Sequence, residues 1–149
     1  MSIVKILRIV DCNGEGLYRS YTGDGITLAK YVFSTASEVD FYYHPTPSDD
    51  MGLYELVGYD FAFSNYSKWK FGFEHQLQFM RWVYDPQWRK DMEDLGGKLV
   101  VITIDEQSIR RGSYQVIYDP EKVIESRSFS PACFDNKELR LEIEEYLNN

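Results

Sequence analysis

DPQWRKDMEDLGGKLVVITID, residues 85–105, is the stretch whose reading decides the fold class. Asp85 before Pro86 is a helix start. The carboxylate can accept from the orphan N–H groups of a first turn, and proline's fixed φ suits the first helical position. Trp88, Met92 and Leu95 recur at i, i+4 and i+7, one stripe of a helix. Gly96-Gly97 then supplies the stop signal of a helix C-terminus. Lys98 to Asp105 follows as a mostly apolar run, which reads as a central strand.

Upstream, Phe73, Leu77, Met80 or Arg81, and Tyr84 predict an amphipathic helix over Glu74 to Tyr84, so two helices run in succession. Downstream, Arg110-Arg111-Gly112 reads as a turn into a strand over Ser113 to Tyr118. Tyr118-Asp119-Pro120 is a corner before a further strand over Lys122 to Phe129. Asp135 with Glu138 three positions on has the form of a capping box. It opens a helix over Asn136 to Leu147 with Leu139, Ile143, Tyr146 and Leu147 as its buried stripe. Lys5 to Val10 opens the chain as a strand, and Leu17 to Ser20 resumes as a short one after the Asn13–Gly16 turn. Ile26 to Phe33 is read as a short helix and Glu38 to Tyr43 as a strand; Met51 to Lys70 is irregular. Strands and helices that segregate rather than alternate predict an α+β fold, a mostly antiparallel sheet with an αα pair and a C-terminal helix.

The chain has 149 residues, which fits a single domain, and is 44% hydrophobic, which excludes a disordered chain. No apolar run nears the roughly 18 residues of a membrane span, and the first residues lack a secretory signal, so a soluble cytoplasmic protein with no membrane role is expected. Cys12 and Cys133 show no CxxC spacing and are expected to be reduced thiols.

Net charge is −8, which opposes direct binding to nucleic acid. The charge is patterned. Residues 34–67 carry six acids and no Lys or Arg, whereas residues 68–90 carry five basic residues against two acids. A segment of that kind suits a small anion better than a polymer backbone.

Nucleotide-binding loops, zinc motifs and nucleophile elbows are absent from the sequence, and no cofactor or metal is expected. Three features remain. His44-Pro45-Thr46-Pro47-Ser48-Asp49-Asp50 is a loop stiffened by its prolines, which can hold His44 and Asp50 at a cleft rim. Twelve Tyr, nine Phe and three Trp are more rings than a core this size needs, and many crowd residues 42–73 beside Lys68 and Lys70. Rings with cations among them suit a purine carrying phosphates. Third, Arg8 and Arg19 near the start, with Gln115 in a late strand, can point into one cleft. The candidate ligand-binding set is therefore Arg8, Tyr18, Arg19, His44, Asp50, Phe71, Phe73, Trp82 and Gln115.

His44 to Asp50, then Phe71-Gly72-Phe73 leading to Gln76-Leu77 and Trp82, then Tyr114 to Asp119, resemble motifs of small uncharacterised proteins of tailed bacteriophages. Here Leu7-Arg8-Ile9 stands for their opening motif, and Glu74-His75 replaces a small polar helix start. The resemblance implies a phage origin and an accessory role, and no settled activity. An arginine in the first strand and a Gln in a late strand is also similar to ADP-ribosyltransferases, which clamp NAD in a split sheet. That likeness implies phosphate contact at Arg8, and Gln115 in place of the catalytic Glu. Binding is favoured over catalysis: a small anionic nucleotide-like ligand is sequestered, or host defence is otherwise countered. The alternatives are an ADP-ribosyltransferase-like NAD-binding enzyme that uses His44 as proton shuttle, or an acidic protein that inhibits a host protein by mimicking nucleic acid. A homo-oligomer stays open.

Overall fold

The computed structural model describes residues 2–12, 14, 16 and 69–149. Six strands and three α-helices are found among them. In chain order they are β1 (Ile3–Val10), β2 (Lys70–Gly72), α1 (Gln76–Trp82), α2 (Pro86–Asp94), β3 (Lys98–Asp105), β4 (Ile109–Arg111), β5 (Val116–Tyr118), β6 (Val123–Phe129) and α3 (Lys137–Asn148). The fold class is α+β, and every strand pair is antiparallel. The strands form two three-stranded sheets, β1-β3-β6 and β2-β5-β4. No helix among the described residues is long and apolar enough to cross a membrane.

β3 has the bounds the sequence predicts and is central, as its apolar run requires. Alternation gives it two buried faces. Leu99 and Val101 join Leu7 and Ile9 in one core, with Phe79, Trp82, Met92, Phe134 and Ile143 from the helical layer and its connections. Ile102 and Ile104 join Ile6 in a second core, closed by Ile109, Val116 and Tyr118 of the other sheet.

Among the described residues a backbone bridge joins the two sheets. Leu7 and Phe73 exchange both backbone hydrogen bonds, at 2.8 and 2.6 Å. Gly72 makes the approach feasible, because a Cβ there would lie 2.5 Å from the Leu7 carbonyl oxygen.

Local signals explain α2 closely. The Asp85 carboxylate accepts from the Gln87 N–H at 2.9 Å, with Pro86 in the first turn. Gly96, at φ +86°, donates to Glu93 O, and Gly97 donates to Met92 O. These two reversed bonds satisfy carbonyls that the helix end leaves open.

Three expectations are corrected. α1 is shorter than the predicted Glu74 to Tyr84 and turns another face inward: Phe79, Trp82 and Val83 are buried while Leu77 is 74% exposed. The reason is Phe73, which is committed to the inter-sheet bridge and so does not set the helix phase. Arg110 and Arg111 lie in a strand, β4, rather than a turn; the Gly112 N–H donates to Gln115 O and closes the β4–β5 hairpin. Finally, α3 is capped by Asn136, not Asp135. The Asn136 amide oxygen accepts from the N–H groups of Glu138 and Leu139 at 3.0 and 3.1 Å. Asp135 is occupied elsewhere, paired in a bidentate bridge with Arg89 at 2.8 Å for each bond.

That cap gives a first test. Asn136→Ala strands two N–H groups and is expected to cost about 1 kcal/mol in urea unfolding. An unchanged midpoint would show that α3 draws nothing from Asn136.

Candidate functional site

Arg8 is the starting point, because a cation in the middle of an apolar strand must be compensated. It alternates with Leu7 and Ile9 and so shares the face of Ile6, between the two sheets. There it is only 6% exposed. Its Nη1 donates to the Phe71 carbonyl oxygen at 2.8 Å, and the guanidinium carbon sits 5.7 Å from the centre of the Phe71 ring. A backbone carbonyl and a ring face each favour positive charge. Gly16, bridged to Val10, lies against the same group: a Cβ there would come within 2.6 Å of Nη2. Tyr118 shares this face. Burial pushes its hydroxyl pKa up, and the positive charge of Arg8 opposes the rise.

Phe71, Phe73 and Trp82 do come together. Phe71 meets Phe73 edge to face at 6.4 Å and Trp82 at 6.3 Å, and Phe73 lies 6.0 Å from Trp82. All three belong to the helical core, Phe71 at 8% exposure and Phe73 and Trp82 fully covered. Gln115 is also fully buried and directly precedes Val116, the partner of Gly72 in the β2–β5 pair. Thus Arg8, Phe71, Phe73, Trp82 and Gln115 all border the place where the sheets join. Tyr18, Arg19, His44 and Asp50 lie outside the described residues, as do the predicted elements between residues 17 and 68.

The opposite face of β1 borders a groove of about 410 Å³. It is lined by Lys5 and Leu7 of β1, by Glu74, His75 and Gln76 at the start of α1, and by Glu144, Leu147 and Asn148 of α3. Its charges are mixed and partly committed. Lys5 Nζ donates to the Tyr146 carbonyl oxygen at 2.6 Å, and Glu74 binds Arg111 at 2.8 Å. The Arg111 pKa is raised chiefly by its hydrogen bond to Glu74. His75 Nδ1 accepts from the Gln78 N–H at 3.3 Å, which spends it as the cap of α1.

The basic segment is thinner in space than in sequence, since Arg89 is buried against Asp135 while Lys70, Arg81 and Lys90 are exposed. Both cysteines are free thiols, Cys12 exposed and Cys133 buried. Burial pushes the Cys133 pKa up to about 12, so it is a protonated core thiol rather than a nucleophile. No cluster of metal-ligating side chains occurs among the described residues.

Sequence reading identified Arg8 from its position in an apolar strand. It missed the Phe71 carbonyl and Tyr118 as neighbours of that cation. A backbone acceptor carries no side-chain signature, and Tyr118 reads only as one residue of a strand.

No curated protein and no solved structure matches the chain. Residues 1–132 match the family model described as Bacteriophage T4 Y00F protein. The phage resemblance carried by the short motifs agrees with this match at the level of a small phage protein. The match spans well over half of the 149 residues, and the chain belongs to the Bacteriophage T4 Y00F protein family.

Proposed function

We propose that this phage protein is an accessory binding protein that sequesters a compact, anionic, nucleotide-derived molecule. Arg8 contacts the anion and the Phe71 ring lies beside it. The observation that carries the reading is the buried guanidinium fixed between a carbonyl and a ring where the two sheets meet. A cation already ordered in this way loses little freedom on binding, and a guanidinium is the planar fork of donors that matches phosphate oxygens. Tyr18, Arg19, His44 and Asp50 complete the proposed ligand set, with Phe73, Trp82 and Gln115 behind it. Withholding such a molecule from a host defence that depends on it is the biological role this reading gives the protein.

Calorimetry of the full chain against NAD, ADP-ribose and cyclic nucleotides tests it. One of them is expected to bind, and Arg8→Lys to weaken that binding at least tenfold, about 1.4 kcal/mol, because an ammonium cannot reproduce the planar fork. Arg19→Gln keeps the test readable if Arg8→Lys does not fold. Absence of heat with every ligand overturns the proposal.

A second reading draws on the divided sheet. ADP-ribosyltransferases clamp NAD in a split sheet, and here the described strands divide beside Arg8 into two sheets of three. Gln115 would then stand where those enzymes carry Glu. An amide cannot offer the carboxylate that stabilises a developing oxocarbenium ion, so this reading favours NAD binding without transfer. Labelled NAD separates the two: nicotinamide release or labelled protein establishes an enzyme, and neither leaves a binder.

A further inference from the structure

β6 is the outer strand of the β1-β3-β6 sheet. It pairs with β3 on one side, and no strand among the described residues runs along the other. Such an edge presents a row of backbone donors and acceptors, and proteins usually blunt it with proline, charged side chains, bulges or a covering segment. β6 has no proline or lysine within Val123–Phe129; its charges are one acid and one base, Glu125 and Arg127, which can satisfy each other across two copies. Residues 124–128 are exposed, and Ile124 alone leaves 58% of its surface to solvent. The one irregularity, a register shift between Thr103 and Ile104, falls near the Val123 end and leaves Glu125 to Phe129 regularly paired.

The strand reads Val-Ile-Glu-Ser-Arg-Ser-Phe and is chemically self-complementary about Ser126. Two copies laid antiparallel with a two-fold axis at Ser126 set Glu125 opposite Arg127 twice. Ser126 then faces itself; Val123, beyond the register shift, packs on the opposite face of the sheet from Phe129 and stays outside the pairing. A parallel, in-register pair would instead set like charges opposite each other, which is unfavourable. Arg127 is ordered on this face by an ion pair with Glu142 of its own copy, which the partner's Glu125 would share. Its Nη2 bonds Glu142 at 2.7 Å, and its guanidinium carbon lies 4.8 Å from the Phe129 ring centre and 5.1 Å from that of Tyr146.

We propose that β6 is a homodimer interface and that its occupant is the β6 strand of a second copy of this chain. The product is a continuous antiparallel sheet of six strands with β6 of each copy at its centre. The arrangement is isologous, so it closes at two copies and abolishes the exposed edge in both. The opposed Glu125–Arg127 pairs fix register and direction, against the repulsion between copies that each carry a net charge of −8.

Sedimentation of the full chain across the micromolar range tests it, with circular dichroism to confirm folding. Wild type is expected to show a concentration-dependent dimer. Glu125→Arg sets like charges opposite each other and is expected to weaken self-association at least tenfold; Arg127→Glu does the same with the opposite sign. An equimolar mixture of the two variants meets opposite charges at every position and is expected to dimerise again. Wild type that stays monomeric overturns the proposal. So does a variant that self-associates as tightly as wild type, or a mixture of folded variants that stays monomeric.

Discussion

Asp135→Ala is expected to lower the unfolding free energy by about 3 kcal/mol, the lower end of what breaking a buried ion pair costs. Arg89, 3% exposed, lies on α2, and its Nε and Nη2 donate to both carboxylate oxygens of Asp135 while Nη1 donates to the Val83 carbonyl. Removing the carboxylate leaves a guanidinium in the core with one acceptor. Asp135 is itself 30% exposed, so water can replace it in part, which keeps the effect from the top of the range. Arg89→Met with Asp135→Leu is expected to recover most of the loss, since both charges then leave together. As a control, Glu142→Ala removes an exposed partner of Arg127 and is expected to change stability by less than about 1 kcal/mol. Urea unfolding measures all of these. If Asp135→Ala proves no worse than the control, the bridge is not what ties α2 to the turn before α3.

The same pair shows why some of the fold could be read in advance and some could not. Asp85 and Asp135 look alike in sequence, each a cap residue before a helical stripe. Asp85 caps because its neighbours leave it free; Asp135 does not, because Arg89, 46 positions away, claims it. Likewise Phe73 fits a helical spacing but serves the bridge to Leu7, and the helix face shifts as a result. β4 is three residues long, two of them arginine, too short for alternation to register. β3 was legible because burial on both faces demands a continuous apolar run, and only a central strand satisfies that demand. The candidate site divides the same way. Arg8 announces itself as a charge among apolar residues, whereas the carbonyl that receives it lies 63 residues on and belongs to backbone. Short-range chemistry is written locally, and the choice between competing long-range partners is made by packing.

Gly72→Ala is the sharpest test of that packing, and a loss of about 3–5 kcal/mol is expected. The added methyl would sit 2.5 Å from the Leu7 carbonyl oxygen and 3.8 Å from Arg8 Cβ. The first contact is with backbone, so no rotamer change relieves it, and β2 must move away from β1. Overpacking of this kind costs roughly 1–3 kcal/mol. The movement also strains the two Leu7–Phe73 hydrogen bonds, each contributing about 1 kcal/mol. Backbone dihedral preference plays no part, because Gly72 is not among the positive-φ glycines. The shift reaches the proposed site as well. The Phe71 carbonyl that holds Arg8 is the residue next to Gly72, so ligand affinity and stability are expected to fall together in this variant, whereas Asn136→Ala lowers stability alone. A Gly72→Ala protein with wild-type stability would mean that the two sheets tolerate separation, and the junction would lose its standing as a rigid frame for Arg8.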